Sequence, residues 1–139
     1  MANNPFFSDT AISGSGGAVA TITALLNSGF IKIYTGAQPA VDGALTGVLL
    51  ATLTFGATAF ATATASGSGG TMNANAITSG TAANTGTAGY FVLQESNGTT
   101  NVATGACGTS GQELNLNTTS ISAGDTVSCS AFSVTMAQP

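Results

Sequence analysis

Charge is almost missing from this chain, and that constrains it more than any motif does. Lys32 is the single basic residue among 139, and the acids are Asp9, Asp42, Glu95, Glu113 and Asp125. Charged residues make up 4%, against about 25% in ordinary soluble domains. Disorder goes with high charge and low hydrophobicity; here hydrophobic residues reach 43%, the reverse pattern. The polar remainder is mostly Ser, Thr, Asn and 19 Gly, which suits strands and tight turns. A single domain of this length can bury a real core.

The same scarcity removes most chemistry. No His is present to act as a general base or to activate one of the many Ser residues. Glu95 and Glu113 could in principle form a glycosidase pair, but each sits at a strand boundary and reads as a solvated turn acid. Asp125 follows Gly124 in a turn, where Asp is common. No D-x-D pattern suggests calcium. Two Cys without His cannot fill a tetrahedral zinc site. Neither an enzyme nor a cofactor is expected. A net charge of −4 disfavours nucleic acid and anionic membrane surfaces. No apolar stretch approaches a membrane span. Met1–Pro5 shows neither a basic nor a long apolar region of a signal peptide, so folding in a cytoplasm is expected.

Two units are expected: an arm over residues 1–17 and one β-domain over 18–139. The arm carries Phe6-Phe7 ahead of a Ser/Gly hinge at Ser13–Gly17. These rings either tuck into their own domain or anchor on a neighbouring subunit, since paired exposed aromatics mark contacts. Ala18–Asn27 reads as the one helix, with Val19, Ile22, Leu25 and Leu26 on one face. Gly29 is its expected left-handed stop.

From Phe30 the period becomes two. Strands are expected over Phe30–Tyr34 and Val48–Phe55, the latter with Leu49, Ala51, Leu53 and Phe55 on one face. A thin strand is expected over Phe60–Ala65, a turn over Ser66–Gly70 and a short strand near Ala76–Thr78. Tyr90–Glu95 is apolar on both faces, and Asn97-Gly98 signals a hairpin into Thr100–Thr104. Glu113–Asn117 alternates, and Ala123–Asp125 turns. In Thr126–Met136 the apolar phase flips at Ala131-Phe132. Either a β-bulge there restores one buried face, or the strand's two ends are covered by different partners. Many short strands with turns every 8–12 residues predict a mainly β protein, an antiparallel β-sandwich (jelly-roll or Ig-like), with one short N-terminal helix.

Cys107 and Cys129 leave two readings. One is a pair of free, buried thiols, which a reducing cytoplasm favours. The other is a disulfide between neighbouring strands, joined through the turn at Gly108–Gly111 and the strand Glu113–Asn117. Soluble β-proteins guard their edges with Lys, Pro or inward charge. One Lys and three Pro leave these edges bare, so symmetric copies, in a homotrimer, are expected to cover them.

Two blocks carry a resemblance. The first is Leu25-Leu-Asn-Ser-Gly29, Ile31-Lys-Ile-Tyr-Thr-Gly36, Gln38-Pro39 and Leu49-Leu-Ala-Thr-Leu-Thr-Phe55. The second is Gly89-Tyr-Phe91, Gly108-Thr-Ser-Gly111, Leu114-Asn-Leu-Asn117 and Ile121-Ser-Ala-Gly124. In order and layout they resemble small β-rich structural proteins of tailed bacteriophages, similar to capsid decoration (cement) proteins. The resemblance implies a non-catalytic virion component that bridges neighbouring subunits of the major capsid protein. The cysteines depart from that pattern. The rival readings are a tail or fibre component and a bacterial pilin or adhesin subunit built by strand donation. The lack of a leader argues against the pilin.

Overall fold

A computed structural model gives the fold, and it describes residues 18–40, 43–62, 64–65 and 69–137. The proposed arm, with Phe6 and Phe7, lies outside the described residues. In chain order the elements are α1 (Ala18–Ala24), β1 (Phe30–Thr35), β2 (Leu49–Phe55), β3 (Thr64–Ala65), β4 (Gly69–Asn73), β5 (Ile77–Thr78) and β6 (Gly80–Thr81). They continue with β7 (Gly86–Gln94), β8 (Asn101–Gly108), β9 (Leu114–Leu116), β10 (Ser120–Ile121), β11 (Thr126–Val127) and β12 (Cys129–Ala137). The protein is mainly β with one short helix, as its composition implies.

The main sheet runs β3-β4-β12-β9-β8-β7-β1-β2-β5, with β10 paired to β7 beside this path. Its ladders are antiparallel except β8–β9, which is parallel. The expectation of a purely antiparallel arrangement is corrected there. The chain leaves β8, loops through a left-handed Gly111 (φ 70°) and returns alongside its own end, with Cys107 opposite Leu114.

The sheet is strongly curled. Phe132 on β12 lies 6.5 Å from Phe55 on β2, ring centre to ring centre. In the sheet order β9, β8, β7 and β1 lie between those strands, which would put them roughly 24 Å apart if the sheet were flat. Phe132 also meets Phe60 at 6.0 Å and Phe91, edge to face, at 5.6 Å. A separate ladder, β6 with β11, ties the ends of the curl together, because β6 follows β5 and β11 leads into β12. The inner face holds Ile31, Ile33, Leu50, Leu53, Leu114 and Val127, all fully buried.

Two register shifts decide which side chains reach this core. Cys129 faces Leu116 and Phe132 faces Leu114, so β12 carries one extra residue between them. This bulge is the source of the phase flip, and it turns both Val127 and Phe132 inward. The second shift leaves no mark on the apolar pattern of the sequence. Ile33 faces Ala51 while Tyr34 faces Leu49, which leaves Leu50 as the extra residue. Leu50 is buried and Leu49 only half-buried, so Leu49 does not share the inward face with Ala51, Leu53 and Phe55.

The helix is shorter than its pattern, ending at Ala24 with a turn through Ser28. Leu26 and Thr23 are buried, but Leu25 is 47% exposed, against the expectation of an inward Leu25. The left-handed residue is Ser28 (φ 57°), not Gly29. Gly29 answers to crowding instead: a Cβ there would lie 2.3 Å from the Gln94 carbonyl oxygen. Among the described residues of the expected strand over Phe60–Ala65, Phe60 bridges Ala74, Ala61 N–H donates to the Asn73 carbonyl, and Thr64–Ala65 form the two-residue β3. Gly69-Gly70, expected in a turn, begins β4. β5 and the Ala123–Asp125 turn fall where expected, with Gly124 at φ 94°.

β7 is covered on both faces, as its apolar pattern predicts. Phe91 and Leu93 join the core, while Tyr90 and Val92 face outward and are still fully buried. Over Tyr90 the cover includes the connection between β1 and β2. Tyr34 stacks on Tyr90 at 5.3 Å, and the Tyr90 hydroxyl donates to the Thr46 carbonyl oxygen and accepts from the Thr46 N–H.

Candidate interaction surface

The charged side chains among the described residues are Lys32, Glu95, Glu113 and Asp125, and most of them hold backbone. Lys32 Nζ, on the outer side of β1, donates to the Gly98 carbonyl at 3.0 Å across the β7–β8 hairpin. Glu113 Oε2 accepts from the Ala106 N–H at 3.2 Å, and Asp125 Oδ2 accepts from the Ser122 N–H at 2.8 Å. The hairpin itself closes with Gly98 N–H on the Glu95 carbonyl and a left-handed Gly98 (φ 72°).

This placement separates the two glutamates. Ala106 faces Tyr90, and Glu95 lies five residues further along that strand, so the carboxylates are roughly 17 Å apart at the rise of a β-strand. Paired glycosidase carboxylates sit about 5–9.5 Å apart. Among the described residues no group of three His, Cys, Asp or Glu could hold a metal ion. Nor is any described helix long and apolar enough to cross a membrane.

Cys107 and Cys129 are free thiols. They are not on neighbouring strands: β9 runs between them, with Leu114 opposite Cys107 and Leu116 opposite Cys129. Two inter-strand steps span about 9.6 Å, beyond the roughly 4.4–6.8 Å a disulfide bridges. Burial pushes the Cys107 thiol up to about 11, against a smaller downward pull from a backbone hydrogen bond. Burial raises Cys129 as well, less the effect of its bond to the Ala131 carbonyl. Thiols held protonated in this way are poor nucleophiles and poor metal ligands.

With reactive groups tied down or apart, surface shape carries what remains. A groove of about 390 Å³ lies between the β1–β2 connection and β8, lined by Gln38, Pro39, Leu45, Asn101, Val102 and Thr104. Gln38 Nε2 donates to Thr104 Oγ1 across it at 2.9 Å, and none of the charged side chains among the described residues lines it. The sheet edges differ from one another. β3 and β5, at the two ends, are two residues each. The outer edge of β2 is covered where Ala83 N–H and Asn84 Nδ2 donate to the Leu50 and Leu49 carbonyls. β12 is the exception. Its Ser133–Ala137 half pairs with β4 on one side, while its ladder to β9 stops at Phe132. The sequence signal for this edge was present in the uncharged, proline-free run Thr126–Ala137, but the change of partner at Phe132 was not readable from it.

The chain matches no family model, and no curated protein or solved structure is similar to it.

Proposed function

We propose that this protein is a structural component of a bacteriophage virion, a capsid decoration or cement protein that bridges and stabilises neighbouring capsid subunits. The observation that carries the reading is the use of charge. Three of the four charged side chains described, Lys32, Glu113 and Asp125, bond the protein's own backbone. They leave little with which to bind or transform a charged substrate. In this reading the protein needs no cofactor, binds neither nucleic acid nor membrane, is assembled in the host cytoplasm and works as a homotrimer on the major capsid protein. Its curled sheet is taken as a variant of the jelly-roll or Ig-like sandwich, with β12 and β4 folded over β1 and β2.

The mechanism is passive. Stable protein interfaces of the obligate kind bury roughly 2,000 Å² or more. At about 25 cal/mol per Å² the gross gain is tens of kcal/mol, mostly offset by ordering costs. A small surplus per copy, repeated over a shell, resists outward pressure. Phe6 and Phe7 are assigned as anchors.

Purified protein is expected to bind shells of the major capsid protein that lack it. Deleting residues 1–13 is expected to weaken that binding while leaving the melting temperature nearly unchanged. Failure of the full chain to bind such shells would sink the reading. A collapse of the melting temperature on deletion would place the two phenylalanines in the core instead.

A further inference from the structure

We infer that a pocket on the outer face of β12 and β9 seats a guanidinium group, the arginine side chain of a different protein. Any partner that presents an exposed arginine meets the condition, whether or not it belongs to a capsid.

The pocket encloses about 330 Å³. Asn73, Gln112, Glu113, Asn115 and Ser133 line it, and Ala74 and Ala131 are too small to fill it. The strands set this polar lining. Side chains alternate between the faces of a strand. Leu114 and Phe132 turn into the core, so their neighbours Glu113, Asn115 and Ser133 turn out. Ser133 faces Asn73 across the β4–β12 ladder. Continuing the β12–β9 register one residue past the Phe132–Leu114 pair puts Glu113 on the other side of Ser133. Asn73, Ser133 and Glu113 thus form one row across three strands, roughly 9.6 Å from end to end. The middle side chain is the shortest of the three, so the row is a trough.

Charge selects the occupant. Glu113 is the one charged side chain that lines the pocket. Its Oε2 holds the Ala106 N–H at 3.2 Å, and its Oε1 bonds no described group. Lys32, the single base of the chain, is engaged at the Gly98 carbonyl. No described residue therefore neutralises this carboxylate. Neutral acceptors stand around it: the amide oxygens of Asn73 and Gln112 and the Ser133 hydroxyl. Asn115 Oδ1 already accepts from the Gln112 N–H at 3.2 Å. One negative charge among neutral acceptors suits one cation with many donors. A guanidinium carries five N–H donors in a planar fork. An ammonium has three and is more strongly hydrated, so it loses more on entering. An anion is repelled by Glu113. The chain contains no arginine, so a second copy cannot supply the group. A single exposed ion pair contributes little, so the contact orients a partner more than it holds one.

Titrating the full chain with N-acetyl-arginine amide, followed by backbone amide NMR shifts, tests it. Saturating shifts are expected around Gln112–Asn115 and Ala131–Ser133, with a Kd on the order of millimolar. N-acetyl-lysine amide is expected to bind about threefold more weakly. Glu113→Gln keeps an oxygen for the Ala106 N–H and removes the charge. It is expected to keep the melting temperature and to weaken arginine binding about tenfold. The inference is overturned if the parent chain shows no saturating shifts at these residues, or if the lysine derivative binds as tightly. It is also overturned if folded Glu113→Gln binds as the parent does, or if methyl glucoside moves the same amides at the same concentration. The parent titrations decide the matter even where the variant fails to fold.

Discussion

Phe132→Ala is expected to destabilise the protein by about 3–5 kcal/mol. Phe132 is the ring on which the curl closes, meeting Phe55 and Phe91 from strands that are distant along the sheet and Phe60 from its bridge to Ala74. Removing it opens a cavity between the two sides of the curl. The ladder on either side limits how far they can collapse, since β12 is held by β9 at Cys129 and by β4 from Ser133 onward. Edge-to-face and tilted ring contacts add about 0.5–1.5 kcal/mol per pair beyond the area buried. Denaturant unfolding should show the midpoint fall. Phe132→Leu, which keeps most of the volume, should recover much of the loss. A cost under about 1 kcal/mol for the alanine would mean that the curl does not depend on this cluster.

Gly89→Ala is the second large effect, expected at about 1–3 kcal/mol or more from overpacking. Tyr34 faces Tyr90 while Thr35 faces Ala88, so Gly89 is the residue bulged out between them. A Cβ there would lie 1.8 Å from the Gly36 carbonyl oxygen and 2.8 Å from its carbon. Backbone, not a flexible side-chain tip, stands in the way. Gly36 must move, and it begins the connection that lies over Tyr90. The stack of Tyr34 on Tyr90 and the bonds from Tyr90 to Thr46 should loosen together. Thermal melting reads the stability, and tyrosine fluorescence reads the stack. A variant that melts with the parent and keeps the parent spectrum would contradict this account of the cover.

Local patterns were legible where one residue decides one contact. The alternation in Phe30–Thr35, the two-sided apolar run of β7 and the Asn97-Gly98 hairpin all appear in the structure. The bulge in β12 could be located because a single flip of phase has few physical causes. The bulge that buries Leu50 could not, because the run Val48–Ala51 offers an apolar residue at every position and hides the extra one. Leu25 departs from the inward face its spacing predicts because the helix stops at Ala24, and beyond it the 3.6-residue period no longer holds. β4 went unseen because Gly69-Gly70 reads as a turn, while its pairing with β12 spans the length of the domain. Long-range pairing is set by the core, not by local propensity. For the surface, the scarcity of charge was plain. That β12 outlasts its neighbour β9 is a fact of topology.

The central claim is that this protein is a repeated structural part of a virion, and imaging of intact particles at side-chain resolution tests it most directly. The account predicts copies of this curled sheet at symmetry-related positions on the capsid, in contact with the major capsid protein, in fixed stoichiometry to it. Purified infectious particles that lack the chain, or carry it only as a substoichiometric contaminant, would contradict the account.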